Sequence, residues 1–589
     1  MEYWDIKIMI KSPLLALALI STGSLLVACQ KSSNYNIDNT NITAQNMLQQ
    51  IKINQVGYQT NAHKVAIVPN VESTIFSLIE VISNEEVFSG KLSDIKVWKL
   101  AGEGEFKHAN FSNFSEQGNY KIRVSGVNDS ASFTIGDDVY EDLHKSSLKA
   151  FYYNRASIAL TEDLATKWQR QAGHLDNEVL VHQSAASEYR PEGTKIASTK
   201  GWYDAGDYGK YIVNSGIATY TLLSSYEHHS TLYNALDLSI PESSDNIPDI
   251  INEIKWNLDW MATMQDKDGS VYHKLTTLGW PGKEMPHEDI RQRFVIGKST
   301  AAAYDFAATM AVASRVFSQF EDQYPGQAEQ WLSAALNAWH WADNNPVLPY
   351  KQPNDVTSGE YGDDNVSDER KWAAAELFLT TKKTAYFTVF NNQADAIDVP
   401  SWQSVAGLGY LSLSTHGESL LSAKDYQQIK DQVIGLADKI VNQLSNSPYL
   451  VPMTEADYVW GSNSVAANKA LILNTALQIT DEQKYKLAMA DILSYLLGRN
   501  PTDYSFVTGF GYKPPMHIHH RPSVSDNIVE PVPGLLAGGP QNGQQDNCDY
   551  PADLPATSYV DDWCSYASNE IAINWNAPLV YLLASVIQE

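Results

Sequence analysis

Read by its hydrophobic and polar positions, the chain has two textures. Residues 49–136 hold the short runs IKINQVGY, HKVAIVP, FSLIEVI, EEVFSG, GNYKIRVSG and ASFTIGD, divided by Gly, Asn and Pro. Short β-rich runs at that spacing, with turn residues between them, predict a small all-β sandwich. After Tyr140 the period lengthens to that of helices. IPDIINEIKWNLDWMATMQ sets Ile254, Leu258 and Met261 at helical spacing, and DYQQIKDQVIGLADKIVNQL and EIAINWNAPLVYLLASVI continue the pattern. Residues 140–589 therefore predict an all-α domain of about ten or more helices with few strands. Its long loops carry the Asp clusters, His runs and tryptophans, so a helical scaffold with functional loops at one end is the economical reading.

The N-terminus adds a third kind of segment. KSPLLALALISTGSLLVACQ is an apolar run of signal-peptide length preceded by Lys7 and Lys11. It ends in Leu26-Val27-Ala28-Cys29, which resembles a bacterial lipobox; that resemblance implies a signal over residues 1–28 and lipidation of Cys29. A plain cleaved signal or a single membrane anchor is the alternative. Gln30 after the cysteine resembles an outer-membrane sorting signal, which implies an exported protein on the periplasmic or cell-surface side. Residues 29–48, rich in Asn, Gln, Ser and Thr, read as a tether.

Composition narrows the partners. The 589 residues exceed one domain of about 100–200 residues. With 69 acidic against 42 basic side chains, the formal charge is −27, which argues against nucleic acid and anionic membrane surfaces. Contact with a membrane is then expected only through the lipid anchor, and the protein is expected to be a monomer. The 15 Trp and 32 Tyr supply flat rings of the kind sugars stack on. Apart from Cys29 the cysteines are Cys548 and Cys564, an even pair in an exported chain, most simply a disulfide worth about 3 kcal/mol. Two free thiols are the weaker reading.

The candidate chemistry begins in GWYDAGDYGKY, residues 201–211. Asp204 and Asp207 lie three apart, crowded by Trp202, Tyr203, Tyr208 and Tyr211. Adjacent carboxylates raise one another's pKa and can together hold a water that one of them deprotonates. The plainer reading, Asp207 as a helix N-cap, leaves Asp204 and the aromatic crowding unexplained. In SYVDDWCSYASNEIAINWNAPLV, Glu570 stands among Tyr566, Ile571, Ile573 and Trp575, an apolar setting that keeps a carboxyl protonated, as a general acid needs. Its plainer reading is a first-turn Glu near a helix dipole. GFGYKPPMHIHHRPS offers His517, His519, His520 and Arg521; His-x-His can bind metal, but the flanking Arg favours substrate or carboxylate pairing.

These three motifs resemble the signatures of glycoside hydrolase family 9, the inverting cellulase family. SGEYGDDNVSDERKWAAAELFL and YVWGSNSVAANKALIL match as well, in order, and INQVGY opens a segment resembling the immunoglobulin-like module that precedes many bacterial members. The resemblance spans about residues 50–589 and implies an (α/α)6 barrel with its cleft in the loops at one end. It implies Asp207 as general base, Asp204 helping to hold the water, and Glu570 as general acid. His519 and Arg521 would bind the sugar beside the scissile bond, Asp561 shares the signature of Glu570, and Trp460 is a stacking platform. Tyr208 and Trp202 are further candidates for substrate contact. Many relatives carry a Cys/His zinc site; here His174 remains without both cysteines, so no zinc is expected. Relatives also bind structural calcium beside a helix matching Asp368 and Glu369, with Asp363 and Asp364 nearby. No cofactor is expected for the chemistry.

The leading functional expectation is a β-1,4-glucan hydrolase of the endoglucanase type, acting on cello-type poly- or oligosaccharides with inversion. The segment from Pro531 to Cys564 could wall off one end of the cleft, which would favour exo-action releasing glucose or glucosamine units. The non-enzymatic rival is an inactive glycan-binding lipoprotein.

Overall fold

The computed structural model describes residues 50–587. The expected signal, the tether and Cys29 lie outside the described residues.

The first body is a sandwich. One sheet has the order β1 (Gly57–Tyr58), β8 (Phe133–Ile135), β7 (Gly118–Arg123), β3 (Ile75–Glu80), β4 (Glu86–Lys91); the other is β2 (Val65–Pro69), β6 (Glu105–Asn110), β5 (Lys96–Val97). Phe76, Leu78, Phe111, Tyr120, Ile122 and Phe133 fill the space between them. Alternate residues of β3 and β7 point inward, as the period of two requires. Strand β6 (EFKHAN) was not expected from the sequence. Its inner Lys107 breaks the apolar alternation and is satisfied by the carbonyls of Val71 and Ser73.

From Glu141 the chain winds twelve main helices in alternating roles: α1 (Glu141–Tyr153), α2 (Ile212–His228), α3 (Asp249–Thr263), α4 (Thr300–Phe317), α5 (Gln327–Asn344), α6 (Ser367–Thr381), α7 (Thr384–Asn392), α8 (Ala406–His416), α9 (Ala423–Asn446), α10 (Ser462–Thr480), α11 (Gln483–Leu496) and α12 (Ile573–Ile587). The even-numbered helices touch in a closed ring, α2–α4–α6–α8–α10–α12–α2, and the odd-numbered ones pack outside it. This is the (α/α)6 barrel. Sequence sets each helix's layer. Inner α4 is Ala-rich and buried on nearly every side. Outer α9 buries one stripe, Ile429, Val433, Ala437, Ile440 and Leu444, at the three-to-four spacing of an amphipathic helix.

Two features position the loops at the barrel's end. A five-stranded sheet, β10 (Lys195–Ile196), β9 (Val179–Val181), β13 (Phe294–Lys298), β12 (Tyr272–Thr276), β11 (Lys210–Tyr211), lies beside the start of α2. The sandwich also braces the loops that come after α11. Gln55 donates from its backbone N–H to Leu497 O and from Nε2 to Asp503 O, and its Oε1 accepts from Lys513 N–H. The N–H of Ala556 donates to Leu100 O. No helix among the described residues is long and apolar enough to cross a membrane.

Candidate active site

Asp204 and Asp207 lie in the tight loop before β11, not on a helix. The N-cap of α2 is Tyr211, so Asp207 does not cap it. Instead Asp207 Oδ2 accepts the N–H of Gly209 at 2.9 Å. Asp204 is more heavily tied: Asn214 Nδ2 donates to both its oxygens (2.9 and 3.1 Å), and Tyr361 Oη donates to Oδ2 at 2.8 Å. With those lone pairs occupied, Asp207 is the more open of the two carboxylates. Burial and the Asp207 charge push the Asp204 carboxyl up to about 7, against the pull of Asn214 and Tyr361.

Glu570 arrives from the far end of the chain. It comes after the one-turn helix Tyr566–Asn569 in extended conformation and precedes α12, so it is not a first-turn residue. Neighbouring segments bridge its strand on both sides, His519 to Glu570 and Ala537 to Ile571. Its Oε1 accepts the N–H of Gly206, between the two aspartates, at 3.3 Å. Burial, then Asp207 and Asp204, push its carboxyl well above the usual range, with Arg521 opposing. The direction favours the protonated form a general acid needs, and burial in the apolar setting read from the sequence is the leading cause.

Gly206 joins the three carboxylates. Its carbonyl accepts from Arg521 N–H (3.0 Å) and Nη1 (2.9 Å). A Cβ there would sit 2.1 Å from His519 O, so only glycine lets the segments close this far. Arg521 Nε donates to Pro281 O at 3.1 Å, which leaves Nη2 without a hydrogen bond among the described residues. His519 donates from Nδ1 to Trp563 O at 2.7 Å and stacks on the Trp563 ring at 4.2 Å. Burial, with Arg521 and Lys283 nearby, lowers its imidazole to about 4. Nε2 of the neutral ring is thus an acceptor for a sugar hydroxyl.

Other expected site residues have different places. Asp561 accepts the N–H groups of Met516 and His517, both at 2.8 Å, and Asn569 Nδ2 at 3.0 Å. It fixes the His loop and acts through it. His520 is buried on Ser523 and His517 is exposed. Trp460, 41% exposed and packed beside Tyr566, has an open face for stacking. Two expectations are corrected. Trp202 is fully buried, its indole N–H donating to Glu253 and its ring packed on Phe151. Tyr208 is buried against Tyr203 and His174, with its hydroxyl donating to Glu284 O at 2.6 Å. Both pack as core under the Asp loop. Cys548 and Cys564 form the expected disulfide, Cα atoms 5.7 Å apart, which straps residues 546–550 to the turn before Glu570.

Tyr361 and Asn214 were not assigned roles from sequence. Asn214 could have been found as a lone amide in the apolar run YIVNSGI, because a buried amide needs a partner. Tyr361 reaches Asp204 only through long-range folding.

A second acidic group lies between α4 and α6. Asp305 is buried with neither carboxylate oxygen hydrogen-bonded, and Glu369 Oε2 is likewise unpartnered. Asp368 Oδ2 accepts Val405 N–H at 2.8 Å. Burial, then repulsion from Asp368 and Asp363, pushes Asp305 and Glu369 upward, with Asp305 also acting on Glu369; burial, with a smaller push from Asp395, raises Asp368. Asp364 is exposed. All-oxygen donors with uncompensated charge fit a hard divalent cation. Their oxygens are not drawn together as a closed set; the one group of three ligand atoms within 4.8 Å among the described residues is Cys548, Asp562 and Cys564, whose cysteines are in the disulfide. His174 is engaged by Tyr203 Oη at 2.8 Å and by Asp289 at 3.4 Å.

An aspartate pair facing a buried glutamate of raised proton affinity in the end loops of an (α/α)6 barrel is the arrangement of a glycoside hydrolase. The chain belongs to glycosyl hydrolase family 9, whose model matches residues 140–583; a cellulase N-terminal Ig-like domain matches residues 47–129. Similar proteins include a xyloglucan-specific endo-beta-1,4-glucanase of Bacteroides ovatus (40% identity, 91% of this chain and 93% of that one) and endoglucanase D of Acetivibrio thermocellus (33%, 91% and 83%). A cellodextrinase of Butyrivibrio fibrisolvens is 31% identical over 92% of this chain and all of its own. Among solved structures, a Bacteroides ovatus family 9 protein superposes with a TM-score of 0.86 at 39% identity, covering 92% of this chain and 99% of that one.

Proposed function

We propose that the protein is an endo-acting β-1,4-glucanase that cleaves by single displacement with inversion. Asp207 takes a proton from water as the water attacks the anomeric carbon, Asp204 orients that water, and Glu570 protonates the departing oxygen. His519 Nε2 and Arg521 Nη2 hold the sugar at the scissile bond. The observation that carries this reading is the Gly206 N–H on Glu570 Oε1, which sets one buried carboxyl against a hydrogen-bonded aspartate pair. Exposed Trp280 and Trp460 support an extended substrate, and the relatives' names, a xyloglucan-specific endo-beta-1,4-glucanase and endoglucanase D, support a glucan backbone. A time course on cello-oligosaccharides and xyloglucan tests this. A spread of mid-length products supports it, whereas monomer released alone from the first time point overturns endo-action.

Calcium, held by Asp305, Asp368, Glu369 and Asp363, would neutralise the acidic group and tie α4 to α6, away from the chemistry. Cys29 would anchor the enzyme in the outer membrane; a C29A variant should then leave the membrane fraction, and retention there would contradict the anchor.

A further inference from the structure

Lys274 lies on strand β12, which is buried throughout, and is itself wholly buried. A lysine in such a place costs several kcal/mol unless its charge is met. No carboxylate lies within 4 Å of it among the described residues. Its ammonium instead donates to Gly359 O (2.6 Å), Gln352 Oε1 (3.0 Å), Ser358 Oγ (3.1 Å) and Ser358 O (3.4 Å). The next-door His273 holds Glu360 O at 3.0 Å through Nε2 and meets Ser299 Oγ through Nδ1. Gln352 Nε2 adds a second bond to Ser358 O at 2.5 Å. Three consecutive carbonyls, 358 to 360, are therefore gripped from one strand.

The next residue in the loop, Tyr361, has φ +48°, a left-handed conformation rare for an aromatic residue and kept only when the surroundings impose it. That conformation accompanies its hydrogen bond to Asp204. The loop also rests on the aspartate loop: a Cβ at Gly359 would lie 2.9 Å from Tyr211 Oη, and Tyr211 pairs with Lys274 in register.

We propose that Lys274 is a positioning residue for hydrolysis, its ammonium holding residues 358–360 so that Tyr361 stays on Asp204 and keeps that carboxylate ready beside Asp207. This rests on the reading of the Asp204–Asp207 pair as the water-activating groups. Burial lowers Lys274 to about 7, with Asp207 and Glu360 opposing the fall. The groups facing Asp204 are Asp207 on its own loop, Glu570 before α12, Asn214 on α2, and Tyr361 and Tyr211, so loss of the Tyr361 donor shifts Asp204 further up.

The test is a cycle of K274M, Y361F and the double variant, with kcat, KM and the acid limb of kcat measured on a cello-oligosaccharide, plus a crystal structure of K274M. K274M should lower kcat about tenfold with KM within about twofold. Its acid limb should move to higher pH by the same amount as that of Y361F, and the double variant should be no worse than the worse single. In the crystal, Tyr361 should have left Asp204. An unmoved acid limb, additive losses, or Tyr361 still bonded to Asp204 overturns the proposal. If K274M does not fold, Q352L replaces it in the same cycle, with a smaller shift of the same sign expected and no shift contradicting the proposal. If the wild type hydrolyses no glucan, the functional reading falls, and the crystal structure still decides the positioning role.

Discussion

Two groups of buried carboxylates stand in this barrel, and they are built differently. At Asp204, Asp207 and Glu570 nearly every charge has a fixed donor: Asn214, Tyr361, the Gly209 amide and the Gly206 amide. At Asp305, Asp368 and Glu369 three carboxylate oxygens have none. Fixed donors hold protons at chosen atoms and leave one base open, which is what acid–base chemistry needs. Missing donors leave charge that only a proton or a cation can offset. Burial raises carboxyl pKa values in both places, so a raised value alone does not distinguish a reactive site from a structural one.

The sharpest way to break this comparison is to neutralise one group at a time. E570Q and D207N should each lower kcat by about a hundred- to ten-thousandfold with melting temperature unchanged; residual activity near wild type would remove the first group from the chemistry. The opposite signature is expected at the second. A chelator should lower the melting temperature by several degrees and leave early-time kcat near its starting value.

The pH dependence sharpens this further. Asp305 and Glu369 have folded values above their unfolded ones, so without a cation the folded state binds more protons between the two. Stability from this group is then present at low pH and is lost as pH rises through that window. The gain in melting temperature on adding calcium should grow from about pH 5 to pH 8; a flat difference would contradict a cation site. The smallest effect is expected at the rim. W460A should raise KM a few-fold with kcat held, since it removes stacking area without touching the reacting atoms; a fall in kcat alone would place Trp460 nearer the bond cleaved.

The candidate acid and base stood out in the sequence because two aspartates three apart and a glutamate in an apolar stretch are costly patterns, but their roles came from the resemblance to family signatures. The helix layers were legible in part, since the stripe of α9 emerges from period alone. The burial of Trp202 and Tyr208 was not legible because an aromatic residue beside such a loop has the same sequence appearance whether it faces the cleft or supports the loop from below. Sheet β9 to β13 contains strands of two to five residues, too short for periodicity to register. Tyr361 and Asp305 belong to their groups only through contacts distant in sequence, although Asp305, a lone carboxyl in the apolar run AAAYDFAATM, carried the same signal as Asn214.

The central claim is that Asp207 and Glu570 act by a single displacement. The most direct measurement is proton NMR of the anomeric products in the first minutes of hydrolysis of a β-1,4 cello-oligosaccharide, before mutarotation mixes them. The account predicts the α-anomer first, with β appearing only at the mutarotation rate. Initial release of the β-anomer would mean a covalent intermediate and would contradict the roles given to both residues.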